Sequence, residues 1–316
     1  MAGYVLRRLG QSVVVLLLVT LMVFFTMHAL PGDPVTIFLG TTATPEQIAH
    51  YTEVFGLDQP LIVQYVKWLA GLAHGELGQS IALSKPVGEV LPGRIVVTLS
   101  FTLPALVLSV LVGTTLGIWS AMRRGRLADS VISAVASFGV AAPAFVIGIL
   151  LILLLGVQLK WLSISGYTPI TEDPVAGIKK LVMPVIALSF GQVGMFTRQT
   201  RSAMLEVIGQ DYIRTARSKG LKEKTVIVAH ALRNALIPIV TLMGMSIGGL
   251  IGGTVLIEQL FTMPGVGSLL MMSIMNRDYM VLQNIVFFIA AAVLAANFLV
   301  DILYGYIDPR IRLVRK

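Results

Sequence analysis

The feature that constrains this chain most is a series of apolar runs, most of them near the roughly 20 residues an α-helix needs to cross a bilayer core. Six are drawn from the sequence: Gln11 to Leu30, Ile95 to Met122, Val131 to Leu159, Leu181 to Phe196, Leu236 to Ile257 and Leu282 to Val300. The fourth is short and interrupted by Pro184 and Gly191. In hydrocarbon a backbone must satisfy its own N–H and C=O groups, which a helix does within one segment. Composition agrees: 13% of the residues are charged, against roughly 25% in soluble domains. An all-α membrane protein with six transmembrane helices is therefore expected.

The first run follows Arg7 and Arg8 and has the outline of a signal peptide. It exceeds the usual signal core of roughly 7–15 residues. It also ends in Pro31-Gly32-Asp33-Pro34 without a small-x-small site. A retained span is expected.

Six spans place both termini on one side, and the basic residues choose which. Arg7 and Arg8, the Arg123–Arg126 link, the segment from Arg198 to Arg233 and the tail from Arg310 to Lys316 hold 17 of the 24 lysines and arginines. Loops rich in lysine and arginine stay in the cytoplasm, so both ends and the loop between the fourth and fifth spans are expected there. The net charge of +8 is accounted for by this asymmetry, with no need for nucleic acid. The absence of cysteine excludes a disulfide framework and thiolate chemistry. With no internal repeat or soluble linker, residues 1–316 read as one transmembrane domain.

Residues 31–93 form the one large insertion, on the outer side. Thr44-Pro45-Glu46-Gln47 spells a capping box with proline at the first helical position, and Gly56 is placed to end that helix. A second helix begins near Pro60, with Leu61, Ile62, Tyr65, Trp68, Leu69 and Leu72 on one apolar stripe. Such helices either cover the span ends or form a platform for an external partner.

Chemistry is sparse. There is no G-x-x-x-x-G-K-[ST] to hold nucleotide phosphates, and His28, His50, His74 and His230 lack metal-ligand spacing. Gly244-Met245-Ser246-Ile247-Gly248 matches the G-x-S-x-G of a hydrolase elbow. That motif needs a strand-to-helix turn, a histidine and an acid, and here it sits in an apolar helical run. Gly244, Gly248 and Gly252, with Gly249 and Gly253 beside them, read instead as a smooth helix face. Such a face serves close helix packing or lines a pathway, and the spacing leaves both open. Spans two to six contain no Asp, Glu, Lys or Arg, unlike proton- or ion-coupled transporters, which place ionisable groups there. Energy must then enter from outside the bundle.

The densest charge lies in DYIRTARSKGLKEKTVIVAHALRNALIP, Asp211 to Pro238. Glu206 to Lys219 favours helix, and Gly220 suits the left-handed residue that stops it. A second helix starts at Leu221 to Lys224 and runs into the fifth span. Tyr212, Ile213 and Ala216 offer an apolar patch among Arg214, Arg217 and Lys219. A protruding helix on a stiff turn is a mechanical handle.

These residues carry a resemblance. Tyr212-Ile213-Arg214-Thr215-Ala216-Arg217-Ser218-Lys219-Gly220-Leu221 and His230-Ala231-Leu232-Arg233-Asn234-Ala235-Leu236-Ile237-Pro238 resemble the EAA loop of ABC importer permeases, in the version of the dipeptide/oligopeptide/nickel branch. Anchored on Gly220, the general pattern keeps Ala216 and Leu232. It departs at Arg214, Thr215, His230 and Arg233. The likeness continues through Leu30 to Pro34, His74 to Gly78, Pro264 to Gly267, Asn276 to Tyr279 and Asp308 to Arg312.

The resemblance implies a type I importer permease in a bacterial or archaeal cytoplasmic membrane. It implies pairing with a second homologous permease, two cytoplasmic ABC ATPases and an extracytoplasmic solute-binding protein. Asp211 to Leu221, within a cytoplasmic loop of residues 197–235, would be the coupling helix seated on an ATPase. Gly244, Ser246, Gly248, Gly249, Gly252 and Gly253 would border the pathway. ATP and Mg would be held by the partners, with no cofactor or metal on this chain and no catalysis by it. The cargo would be dipeptides or oligopeptides, with nickel or glutathione as the alternative within the branch.

Overall fold

The computed structural model describes residues 2–29, 32–40 and 43–307. The basic tail at 310–316 and the 308–312 motif lie outside the described residues. Helices α1 (Ala2–Ala29), α2 (Pro34–Leu39), α3 (Pro45–Val54) and α4 (Leu61–Ala73) come first. A hairpin of two short antiparallel strands, β1 (Gln79–Ser80) and β2 (Lys85–Pro86), precedes α5 (Val87–Met122). Then follow α6 (Leu127–Ala141), α7 (Ala144–Leu151) with a π-helical extension over Ile152–Gln158, and α8 (Pro174–Ile208). The chain closes with α9 (Asp211–Ser218), α10 (Glu223–Thr225), a π-helical turn (Val226–Leu232), α11 (Arg233–Leu260), α12 (Val266–Met275) and α13 (Tyr279–Ile307).

Five described helices are long and apolar enough to cross a membrane, and α6 with α7 makes a sixth crossing if that bent pair counts as one. The run drawn as the third span, Val131 to Leu159, is bent by 103° between α6 and α7. Pro143 lacks a backbone donor and biases the residue before it toward extended geometry, and Ala142 is extended (φ −78°, ψ 122°). The fourth span is only the apolar middle of α8, whose 35 residues rise roughly 52 Å at about 1.5 Å each. Pro184 sits inside α8 without ending it.

The chain forms two compact units. One comprises residues 1–98 and 264–294. Here the insertion folds onto α1 and the start of α13. Phe24, Tyr65 and Trp68 make an aromatic core, and the Tyr65 hydroxyl lies 2.9 Å from Thr20 Oγ1. Ser80 Oγ and the Ala82 amide both donate to buried Asp278, at 2.6 and 3.0 Å, fastening the hairpin beside the start of α13. The expected capping box on α3 is present, with Gln47 N donating to Thr44 Oγ1 and Thr44 N to Gln47 Oε1. Gly56 follows with φ +66°. The apolar stripe of α4 is narrower than expected: Tyr65 and Trp68 are buried, whereas Ile62 is 70% exposed.

The other unit comprises residues 99–263 and 295–316. Its helices approach closely through glycines. A Cβ on Gly113 of α5 would lie 2.5 Å from Phe196 Cβ and 2.9 Å from the Val193 carbonyl oxygen of α8. One on Gly117 would lie 2.5 Å from Thr200 Cβ and 2.7 Å from the Thr197 oxygen. Gly194 of α8 is pressed against the Ala136 carbonyl of α6.

The glycines of α11 do not make one packing face. Gly244 abuts Val300, where a Cβ would come within 2.9 Å, but Gly252 has nothing within 4 Å. Gly249 and Gly253 face Gln192 and Leu188 of α8 at ordinary contact distances. Eight residues advance a helix by about 80° beyond two full turns, so Gly244 and Gly252 point in different directions.

Candidate functional site

At the end of α8, Gly209 and extended Gln210 (φ −75°, ψ 149°) turn the chain before α9 begins. The helix expected from Glu206 to Lys219 is thus two helices. Glycine is a weak helix former, and the break falls where one stands.

Within α9, Ile213 and Ala216 are three residues apart and share a face. Both are buried, Ile213 completely, while Asp211, Tyr212, Arg214, Thr215, Arg217 and Ser218 are exposed. Lys219, Gly220 and Leu221 continue the exposed surface. The buried pair enters a core made by Ala203 and Met204 of α8, Ala121 of α5 and Val226, Ile227, Ala231 and Ala235 beyond the turn. Eight residues are too few for a stable isolated helix. Burying one isoleucine contributes about 1.5–3 kcal/mol, so α9 is held by its underside.

Gly220 has φ +75°, the left-handed conformation that ends helices and that other residues adopt at a cost. Its N–H donates to the Arg217 carbonyl at 2.9 Å, and that of Lys219 donates to Thr215 at 3.1 Å. An added Cβ at Gly220 would touch nothing within 4 Å, so the requirement is conformational, as the sequence predicts.

Two side-chain links reach from α9 to the following segment. The Arg217 guanidinium grips Glu223 at both oxygens, Nη2 to Oε1 at 2.7 Å and Nε to Oε2 at 3.2 Å. The carboxylate raises the pKa of Arg217 further above its usual value. Both side chains are about half exposed, and an exposed pair of this kind contributes about 0–1 kcal/mol. Asn234 Nδ2 donates to the Tyr212 hydroxyl at 2.6 Å. Neither Glu223 nor Asn234 was visible as a partner from spacing alone. The second helix does run into the fifth span as expected, but through the π-helical turn at Val226–Leu232, which buries Val226, Ile227 and Ala231.

The geometry produces an aromatic and basic outer surface on a helix anchored beneath by apolar contact. Ile213 and Ala216 join α9 to residues of α8 and α11 in one apolar core.

The second group of predicted residues lies apart from this loop. Ser246 is buried mid-helix and donates to the Leu242 carbonyl at 2.7 Å. It occupies continuous α11 rather than a strand-to-helix elbow. Gly249 and Gly252 are exposed, and Gly248 and Gly253 are half-buried.

Comparison with known proteins gives a consistent result. The profile of the family described as binding-protein-dependent transport system inner membrane component matches residues 113–313, and the profile for its N-terminal part matches residues 1–102. A Brucella abortus protein named as a peptide transport system permease is 41% identical over 312 residues, covering 99% of both chains. The oligopeptide transport system permease protein AppB of Bacillus subtilis is 39% identical over 314 residues, covering 98% of this chain and 99% of its own. Among solved structures, an inward-facing crystal form of the MetNI methionine ABC transporter shares the fold, with a TM-score of 0.57 and 17% identity. That match covers 69% of this chain and 96% of the other. The family works with binding proteins and ATPases. The chain belongs to the inner membrane components of binding-protein-dependent transport systems, as a multi-pass permease subunit of an ABC importer.

Proposed function

We propose that this permease imports short peptides, coupled to ATP hydrolysis through α9. The observation that carries the coupling role is the construction of α9: a short helix stopped by left-handed Gly220, buried at Ile213 and Ala216, and exposed at Tyr212, Arg214 and Arg217. The peptide cargo follows from the names of relatives matched along nearly their whole length.

In this reading Asp211 to Leu221 seats on one ATPase, and both termini and the loop at 197–235 are cytoplasmic. A second related permease completes the pathway, with a second ATPase beneath it. This chain performs no catalysis and binds no cofactor; ATP and Mg are held by the ATPases. Closure of the ATPases displaces α9 and biases the pathway outward, and hydrolysis returns it inward, because the ligand binds the two states unequally. Gly248, Gly249, Gly252 and Gly253 border the pathway beside Gly244 and Ser246. The 31–93 insertion meets the binding protein, a role supported by exposed Ile62 and Val66 on α4.

The cargo is tested by reconstituting the complex with its co-purifying subunits in liposomes and competing uptake of a labelled dipeptide. Dipeptides or longer peptides are expected to compete, and nickel to have no effect. Competition by nickel alone would overturn the peptide assignment.

A further inference from the structure

Beside the coupling loop, a single buried carboxylate gathers three segments. Asp129 stands in the first turn of α6 and is 5% exposed. Its Oδ1 accepts from Ser120 Oγ, in the last turn of α5, at 2.6 Å and from Arg201 Nε of α8 at 2.7 Å. Its Oδ2 accepts from Arg201 Nη2 at 2.9 Å and from the backbone N–H of Gly125, in the turn between α5 and α6, at 3.0 Å. Four donors on one carboxylate, two from a planar guanidinium, fix orientation as well as distance.

The position gives this cluster its meaning. Ala121 follows Ser120, and Ala203 and Met204 follow Arg201 by two and three residues; all three belong to the apolar core that receives Ile213 and Ala216 of α9. Apolar contact resists compression but allows sliding, since dispersion is weak and non-directional. The fork on Asp129 does not allow sliding, because moving α8 along α5 or α6 would strand a buried charge.

We propose that Asp129 and Arg201 form a positioning clamp that makes α5, α6 and α8 move as one body when α9 is displaced. This rests on the coupling role of α9. Asp129 and Arg201 act through the helices they join and touch neither cargo nor nucleotide. Ser120 sharpens the clamp by holding the carboxylate plane.

The test uses the whole reconstituted complex and reads cargo moved per ATP hydrolysed. Arg201→Lys keeps the charge but loses the fork. It is expected to assemble with the ATPases, hydrolyse ATP, and move roughly tenfold less cargo per ATP, the effect of about one lost charge-assisted contact. Ser120→Ala, which leaves the ion pair in place, is expected to fold even if Arg201→Lys does not, and to lower the ratio by a smaller factor. An unchanged ratio in both variants, or in Ser120→Ala where Arg201→Lys does not assemble, overturns the clamp. Because the chain has no cysteine, Arg214→Cys supplies a single crosslinking position in this chain to separate the two ideas. Crosslinking to an ATPase together with normal cargo per ATP in the clamp variants would reject the clamp alone. No crosslink in any nucleotide state would reject the coupling role on which it rests.

Discussion

Two arginine–carboxylate forks stand near α9 and are built alike, yet their surroundings differ. Arg217 grips Glu223 with contacts of 2.7 and 3.2 Å, and Arg201 grips Asp129 with contacts of 2.7 and 2.9 Å. The first is about half exposed and spans the turn at Gly220. The second surrounds a carboxylate whose side chain is 7% exposed and which takes two further hydrogen bonds. Solvent competes for the exposed pair and screens it. Around Asp129 solvent offers no such substitute, so removing that carboxylate strips the acceptor from Ser120, from the Gly125 N–H and from an arginine whose side chain is 31% exposed. Distance alone does not rank two ion pairs; their surroundings do.

That contrast breaks most sharply at Asp129. Asp129→Ala is expected to destabilise the permease by about 3–5 kcal/mol, seen as a large fall in the thermal midpoint of the detergent-solubilised protein. Ser120→Ala removes one donor to the same carboxylate and should cost about 1.5–3 kcal/mol by the same measurement. Gly220→Ala forces a side chain into the left-handed region at about 1–2 kcal/mol. That loss should be local and appear as faster tryptic cleavage of the loop, with little change in the global midpoint. Glu223→Gln should cost at most about 1 kcal/mol, and the difference from wild type should shrink further in high salt. A salt effect on the Asp129 variant equal to that on the Glu223 variant would erase the distinction between the forks.

The α9 loop and the Asp129–Arg201 fork also differ in how far they could be read from the chain. Gly220 was legible because its demand is local: a basic helix followed by glycine and a new helix needs a left-handed residue there. The Thr44–Gln47 capping box was legible for the same reason. Asp129 and Arg201 are 72 residues apart, and nothing in their neighbourhoods names the other. A lone acid after Arg123, Arg124 and Arg126 was the only hint. Close glycine packing has the same limit. A row on α11 was conspicuous, but the closest backbone approaches lie elsewhere, at Gly194 of α8 against α6 and at Gly117 and Gly113 of α5 against α8. What lies opposite a small residue is settled by tertiary packing. The 103° bend at Pro143 lay between these cases, since the proline was in plain view within a run long enough to cross a membrane.

Coupling through α9 is tested most directly by the amount of peptide imported per ATP hydrolysed in proteoliposomes containing the complete importer. Wild type is compared with the double variant Arg214→Glu, Arg217→Glu. The outer face of α9 is where these arginines are exposed, and reversing it leaves the Ile213 and Ala216 anchor untouched. The account predicts that the permease stays folded while the ratio collapses or the ATPase no longer associates. A fully assembled complex with an unchanged ratio would contradict it.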